Sequence, residues 1–162
     1  MAHLSAHGIS AALPEGFEGR IFRRTPGEGE IALPVAHFAT FPLPSEVGDF
    51  GSGAVTLMGP NDVFAVLFEY GPESLSAPLF ARQGRPRRFG PDDFKPYVLR
   101  RGLAGHAGTQ WFFTEGGRPF TFYSVIGNHA RRNRLVPVVN RLVEGLAIEP
   151  ASAGPVGGAP WN

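Results

Sequence analysis

The sequence predicts an α+β domain, a mainly antiparallel sheet of five to seven strands with one carboxyl-terminal amphipathic helix packed on one face. Three observations carry this. Val63-Phe64-Ala65-Val66-Leu67-Phe68-Glu69-Tyr70 opens with six apolar residues in succession, the mark of a central strand covered on both faces. Trp111–Thr114 and Phe120–Ile126 flank the turn-forming run Glu115-Gly116-Gly117-Arg118-Pro119, as two arms of a hairpin do. Leu135, Val139, Leu142 and Leu146 fall four, three and four residues apart, which is a helical period.

In chain order, residues 1–7 read as a frayed start. Gly8–Leu13 reads as a strand stopped by Pro14-Glu15-Gly16. Glu18–Arg24 forms the next strand, and a Gly/Pro/Glu loop over Thr25–Glu30 separates it from Val35–Phe41. Pro42–Ser52 is irregular, Gly53–Met58 a short strand, and Gly59-Pro60-Asn61-Asp62 the turn before the central strand.

Gly71–Arg101 is the least regular third. It holds room for one helical turn within Glu73–Phe80, and Pro91-Asp92-Asp93-Phe94 has the form of a helix start that Pro96 keeps short. The final helix is expected to begin at or near Pro137, since proline suits a first helical position, and to end at Gly145. An earlier start would bury Pro137 inside it and crowd Arg131, Arg132 and Arg134 at the positive end of the dipole. Ala147-Ile148 can add a short edge strand. The organisation is then a single domain over 8–149 and a flexible, uncharged Ala/Gly/Pro-rich tail over 150–162 that ends in Trp161-Asn162.

Composition narrows the chemistry. The 162 residues include no cysteine, which removes disulfides, thiolate nucleophiles and cysteine-held metals. The amino terminus lacks the cationic start and apolar run of a secretory signal, and the weakly polar stretch Ile31–Ser45 is broken by Pro34, Pro42 and Pro44. A soluble cytoplasmic protein, without contact to membrane, is expected. Of 15 basic residues all but Lys95 are arginine, a bias that accompanies the high Ala, Gly and Pro of a GC-rich genome.

No Gly-x-Ser-x-Gly elbow, phosphate-binding loop or His-Glu-x-x-His pair is present. His37, His106 and His129 lie far apart in sequence. A small hydrolase would need one of them to converge with Ser124 or Asp92. His3 and His7 share a helical spacing, but they stand beside Gly8 where a helix does not hold. Asp92 and Asp93 are adjacent, so they suit the amino-terminal end of a helix better than paired acid–base work. No catalytic residue, metal ligand or cofactor is assigned.

The densest charge cluster is Arg82-Gln83-Gly84-Arg85-Pro86-Arg87-Arg88. With Arg100, Arg101, Arg131, Arg132 and Arg134 it admits a nucleic-acid reading, against which stands a net charge of only +1. The alternative is a partner-binding loop, in which Arg82, Arg85, Arg87 and Arg88 meet acidic groups of another protein. Trp161 in the tail is a second docking candidate, since one aromatic anchor can dominate an interface.

The order of elements resembles the Mog1/PsbP-like group. The residues that carry the likeness are the opening Leu13-Pro14-Glu15-Gly16-Phe17-Glu18-Gly19-Arg20, the aromatic hairpin Gly108–Phe113 with Phe120–Ile126, and the helix Pro137–Val143 before a short terminal strand. It is also similar to actinobacterial proteins of that group without assigned activity. The resemblance spans residues 8–149. It implies an antiparallel sheet with helices on its faces and a bacterial protein that binds other proteins or stabilises assemblies, and it brings no shared catalytic residues.

One expectation concerns coverage. A nine-residue helix is about 14 Å long and cannot cover both faces of such a sheet. Either 71–101 wraps the second face or another copy of the chain does, which points to a non-enzymatic protein acting through protein–protein contacts, including homo-oligomers.

Overall fold

The computed structural model describes residues 2–24, 28–29, 31–44, 52–96 and 105–151. The fold is α+β, but its strands divide into two antiparallel sheets where the sequence predicts one. The smaller contains β1 (Ala2–Ala6), β2 (Ile9–Leu13) and β8 (Leu146–Ile148), in the order β1-β2-β8. The larger contains β3 (Glu18–Arg23), β4 (Pro34–Ala39), β5 (Val63–Glu69), β6 (Ala107–Glu115) and β7 (Arg118–Ile126), in the order β3-β4-β5-β7-β6. The helices are α1 (Ser52–Val55) and α2 (Arg132–Glu144).

The central strand is β5, buried along its whole length as its apolar run requires. Its alternation splits the core in two. Val63, Ala65 and Leu67 join Ala36, Phe38, Phe120 and Phe122 on one face, where α2 and the three-stranded sheet close the layer through Leu135, Val139, Leu142, Ile9 and Ala11. Phe64, Val66 and Phe68 join Val35, Ala39 and Val125 on the other, covered by Phe41, Ala54 and Met58. Phe41, Ala54 and Met58 therefore supply part of the cover for the second face that 71–101 or a second copy was expected to provide, and Phe80 of that expected segment adds to it against Tyr70 and Phe112.

Four expectations are corrected. Ala2–Ala6 is ordered as β1, not frayed, because the two-residue turn His7-Gly8 (φ 53° and 76°) folds it back on β2. Gly8 is needed there twice over, since a Cβ at this position would stand 2.6 Å from the Arg118 guanidinium. Gly53–Met58 forms a helical turn, not a strand. The spacing of four between Ala54 and Met58 puts both on the core side, and Leu57 N–H closes on the Ala54 carbonyl at 2.9 Å.

The aromatic hairpin is tighter than its sequence indicates. Pairing extends to Glu115↔Arg118, and Gly116-Gly117 (φ 61° and 78°) form a two-residue loop. Lastly, α2 starts at Arg132 and carries Pro137 inside it. An interior proline costs about 3 kcal/mol, whereas the extra turn buries Leu135 and Val136, each contributing about 1.5–3 kcal/mol. Pro137 and Asn133 both face solvent, so the carbonyl deprived of its donor is open to water. Two of the arginines at this end are held, Arg132 by Asp92 (3.1 Å) and Arg131 by a hydrogen bond to Asn61.

Candidate interaction surface

Residues 71–96 lie on the larger sheet at its β6 side, with Phe80 on the face of Tyr70 and Phe112, and Phe89 on the face of Phe122. They wrap its β6 edge, passing from one core to the other. Two 3-10 turns, Pro72–Ser76 and Pro78–Phe80, each start on a proline that presets the backbone. Phe80 lies against Tyr70 and Phe112 at 5.0 and 5.7 Å. The strap then bonds to the edge itself. Thr114 N–H donates to the Arg82 carbonyl, Gly84 N–H to the Thr114 carbonyl, and Lys95 and Gly108 exchange backbone bonds. Beyond the edge, Phe89 stacks on Phe122 at 5.8 Å in the other core.

The strap divides the four arginines singled out from sequence. Arg82 lies over the Trp111 ring, 3.9 Å from its centroid, and Trp111 Nε1–H donates to the Gly84 carbonyl at 3.3 Å. Arg85 is spent on Glu115, which accepts both its backbone N–H (2.9 Å) and its guanidinium. Arg87 and Arg88 are exposed. Two of the four are thus held by the strap's own structure and two point outward. Trp161, Arg100 and Arg101 lie outside the described residues, as does the whole tail from 152.

Sequence reading overlooked the two leucines on the strap. Leu75 is 41% and Leu79 55% exposed, on consecutive turns whose backbone is fixed by Pro72 and Pro78. The signal was available, because a leucine between prolines has no helical or strand period that would place it in a core. Leu75, Leu79, Arg87 and Arg88 therefore lie on one continuous strap along the β6 edge.

The residues weighed for catalysis do not assemble. Asp93 caps its own turn, accepting from Gly90 N–H at 2.7 Å, and Asp92 pairs with Arg132. Ser124 donates to the Phe64 carbonyl at 2.9 Å in the core. His37 is buried between Phe22 and Phe64. Across the ladder His37 registers with Val66, Tyr123 and then Gln110, which puts His106 three strands and four residues away, about 20 Å. His129 N–H donates to the carbonyl of Gly105, the neighbour of His106. Among the described residues no three His, Asp or Glu groups gather to hold a metal ion, and no helix is long and apolar enough to cross a membrane.

A cleft of about 450 Å³ opens at the end of the larger sheet, lined by Arg24, Leu33, Phe68, Tyr70 and Glu73. The Arg24 guanidinium rests 4.4 Å from the centre of the Phe68 ring. Burial pushes the Tyr70 phenol above its ordinary value while Arg24 draws it back, and burial also pushes Tyr123 up. A raised phenol pKa favours the protonated fold. The stability it contributes is complete below the unfolded value of 10.0 and is lost as pH rises through the folded values. The urea midpoint is expected to decline above pH 10.0, and Tyr70→Phe with Tyr123→Phe to flatten that decline. An equally steep fall in the double variant would contradict this assignment.

Comparison of the chain with protein-family models, curated proteins and solved structures finds no match.

Proposed function

We propose that the chain is a non-enzymatic, Mog1/PsbP-like protein of the bacterial cytoplasm that works by binding another protein along its β6 strap. The observation that carries this reading is the pair Leu75 and Leu79, held exposed by a backbone that two prolines and the β6 edge make rigid. Large apolar side chains on a preorganised backbone lose little entropy on docking. Arg87 and Arg88 further along the strap supply exposed cations for the rim. The complementary partner presents an apolar pocket bordered by carboxylates. The α+β class with antiparallel sheets supports the reading at that coarse level.

Site-specific photocrosslinking from position 79 in the native host identifies the partner, and titration calorimetry with that partner purified measures the contact. Leu75→Asp with Leu79→Asp is expected to leave the melting temperature within about 2 °C, since both side chains are exposed, and to weaken binding at least about tenfold. Arg87→Glu with Arg88→Glu is expected to weaken it less and mainly by slowing association. An unaltered affinity in the leucine variant removes the strap from the interface. Crosslinks to nucleic acid instead of protein would reverse the reading.

A further inference from the structure

We propose that β1 is a self-association edge, through which two copies of the chain join their three-stranded sheets into one six-stranded sheet. The proposal does not depend on the strap. The larger sheet and the smaller one together have four outer strands, and three of them are protected. β6 is bridged by Gln83 and Lys95. β3 carries Glu18, Arg20 and Arg23, and the 43–44 segment is tied to it by Leu43 N–H to Glu18 (3.0 Å) and Arg20 to the Pro44 carbonyl (2.6 Å). β8 is three residues long and runs into Glu149-Pro150. Charge, proline, shortness and cover are the usual defences of a sheet edge.

β1 has neither charge nor proline, and it is longer than β8. Its sequence Ala-His-Leu-Ser-Ala carries no carboxylate, lysine, arginine or proline, and among the described residues nothing pairs with its outer side. The direction of its free groups follows from the ladder. Glu149 N–H donates to the Gly8 carbonyl and Ala12 N–H to the Gly145 carbonyl, so the even residues of β2 point toward β8. The odd residues Ile9, Ala11 and Leu13 therefore bond Ala6, Leu4 and Ala2. That leaves the N–H and C=O of His3 and Ser5 facing outward.

These two positions make the edge self-complementary, which selects a second copy as the occupant. An antiparallel β1 with Leu4 on the twofold axis sets His3 against Ser5 of the other copy, and Ser5 against His3. Each pair exchanges two backbone bonds, so four form without bending either strand. Leu4 meets its counterpart on the side toward the larger sheet, where it is already partly buried. No fixed like charges oppose one another across this register.

A junction of two five-residue strands buries less than the roughly 1,200 Å² of a standard interface, so the dimer is weak and concentration-dependent. Sedimentation velocity from about 20 µM to about 1 mM is expected to show a reversible shift from 17.4 kDa toward twice that mass. Over the same range, exchange of the His3 and Ser5 amides slows while the amides of Ala6 and Leu4, already bonded to β2, change little.

Ser5→Pro removes one outward N–H on each copy and spares the β1–β2 bonds, so it is expected to leave a monomer. A second pair of variants guards against misfolding. His3→Glu with Ser5→Glu, and His3→Lys with Ser5→Lys, are each expected to be monomeric alone and to dimerise when mixed. A monomer at every concentration overturns the proposal. So does a dimer in which the His3 and Ser5 amides still exchange freely, or a mixture of the Glu and Lys variants that stays monomeric.

Discussion

Arg118→Ala is expected to destabilise the protein by about 3–5 kcal/mol, the usual cost of leaving one member of a buried ion pair unpartnered. Arg118 and Glu69 are both buried, and the guanidinium meets the carboxylate through Nε at 3.0 Å and Nη2 at 2.6 Å. The same guanidinium donates to the carbonyls of His7 and Gly8 in the β1–β2 turn and of Glu149 after β8. One side chain of the larger sheet thus holds both ends of the smaller one. Removing it strips a donor from three carbonyls and leaves Glu69 facing an apolar neighbourhood that includes Phe120. Urea titration of Arg118→Ala, Glu69→Gln and the double variant measures this. The double variant is expected to lose less than the sum of the singles, since the uncompensated charge is gone. A loss below about 1 kcal/mol for Arg118→Ala, no more than an ordinary solvated pair gives, would refute the staple. Hydrogen exchange adds a local readout, because the β1–β2 hairpin should open ahead of β4 and β5.

The second large effect is expected at Asn140. Its side chain is buried in α2 and serves the strap with both ends of its amide. Oδ1 accepts from Phe89 N–H at 2.8 Å, and Nδ2–H donates to the Phe89 carbonyl at 2.9 Å. Asn140→Ala leaves two buried backbone groups without partners, each worth about 1–3 kcal/mol, so a loss of about 3 kcal/mol is expected. Asn140→Asp keeps the acceptor and loses the donor, and should fall between the two. Thermal and urea unfolding rank the three proteins. If Asn140→Ala unfolds within about 0.5 kcal/mol of the wild type, Phe89 finds its partners elsewhere. Because Phe89 fixes the strap on the far side of β6, the variant should also loosen Leu75 and Leu79, which connects a buried amide to the proposed docking surface.

Period and punctuation made much of the architecture legible. Six apolar residues in a row could only suit a strand with two covered faces, and β5 is such a strand. The spacing of Leu135, Val139 and Leu142 reported a helix wherever it began, because a period of 3.6 survives an uncertain start, whereas Leu146, the last of the series, opens β8. The boundaries were harder. Pro137 reads locally as a first residue, yet burial of Leu135 and Val136 outweighs its cost, and that burial depends on side chains more than 60 residues earlier in the chain. Gly53–Met58 has a β-like composition, but a four-residue spacing into the second core decided for a turn of helix.

The candidate surface shows the same division. The arginine cluster is visible in the sequence as charge, but charge alone does not say that Arg85 is bound to Glu115 or that Arg82 lies on Trp111. The exposed leucines were within reach of a reading that asked which apolar residues have no period.

By itself the sequence determined the class of fold, the central strand, the carboxyl-terminal helix and the absence of cysteine chemistry, since each depends on local pattern or on composition. Only the tertiary structure decided that there are two sheets, that Phe41, Ala54 and Met58 help cover the second face, and that Arg82 and Arg85 are engaged within the strap. Those outcomes rest on contacts between residues distant in the chain, whose free energies compete with local preference and here exceed it.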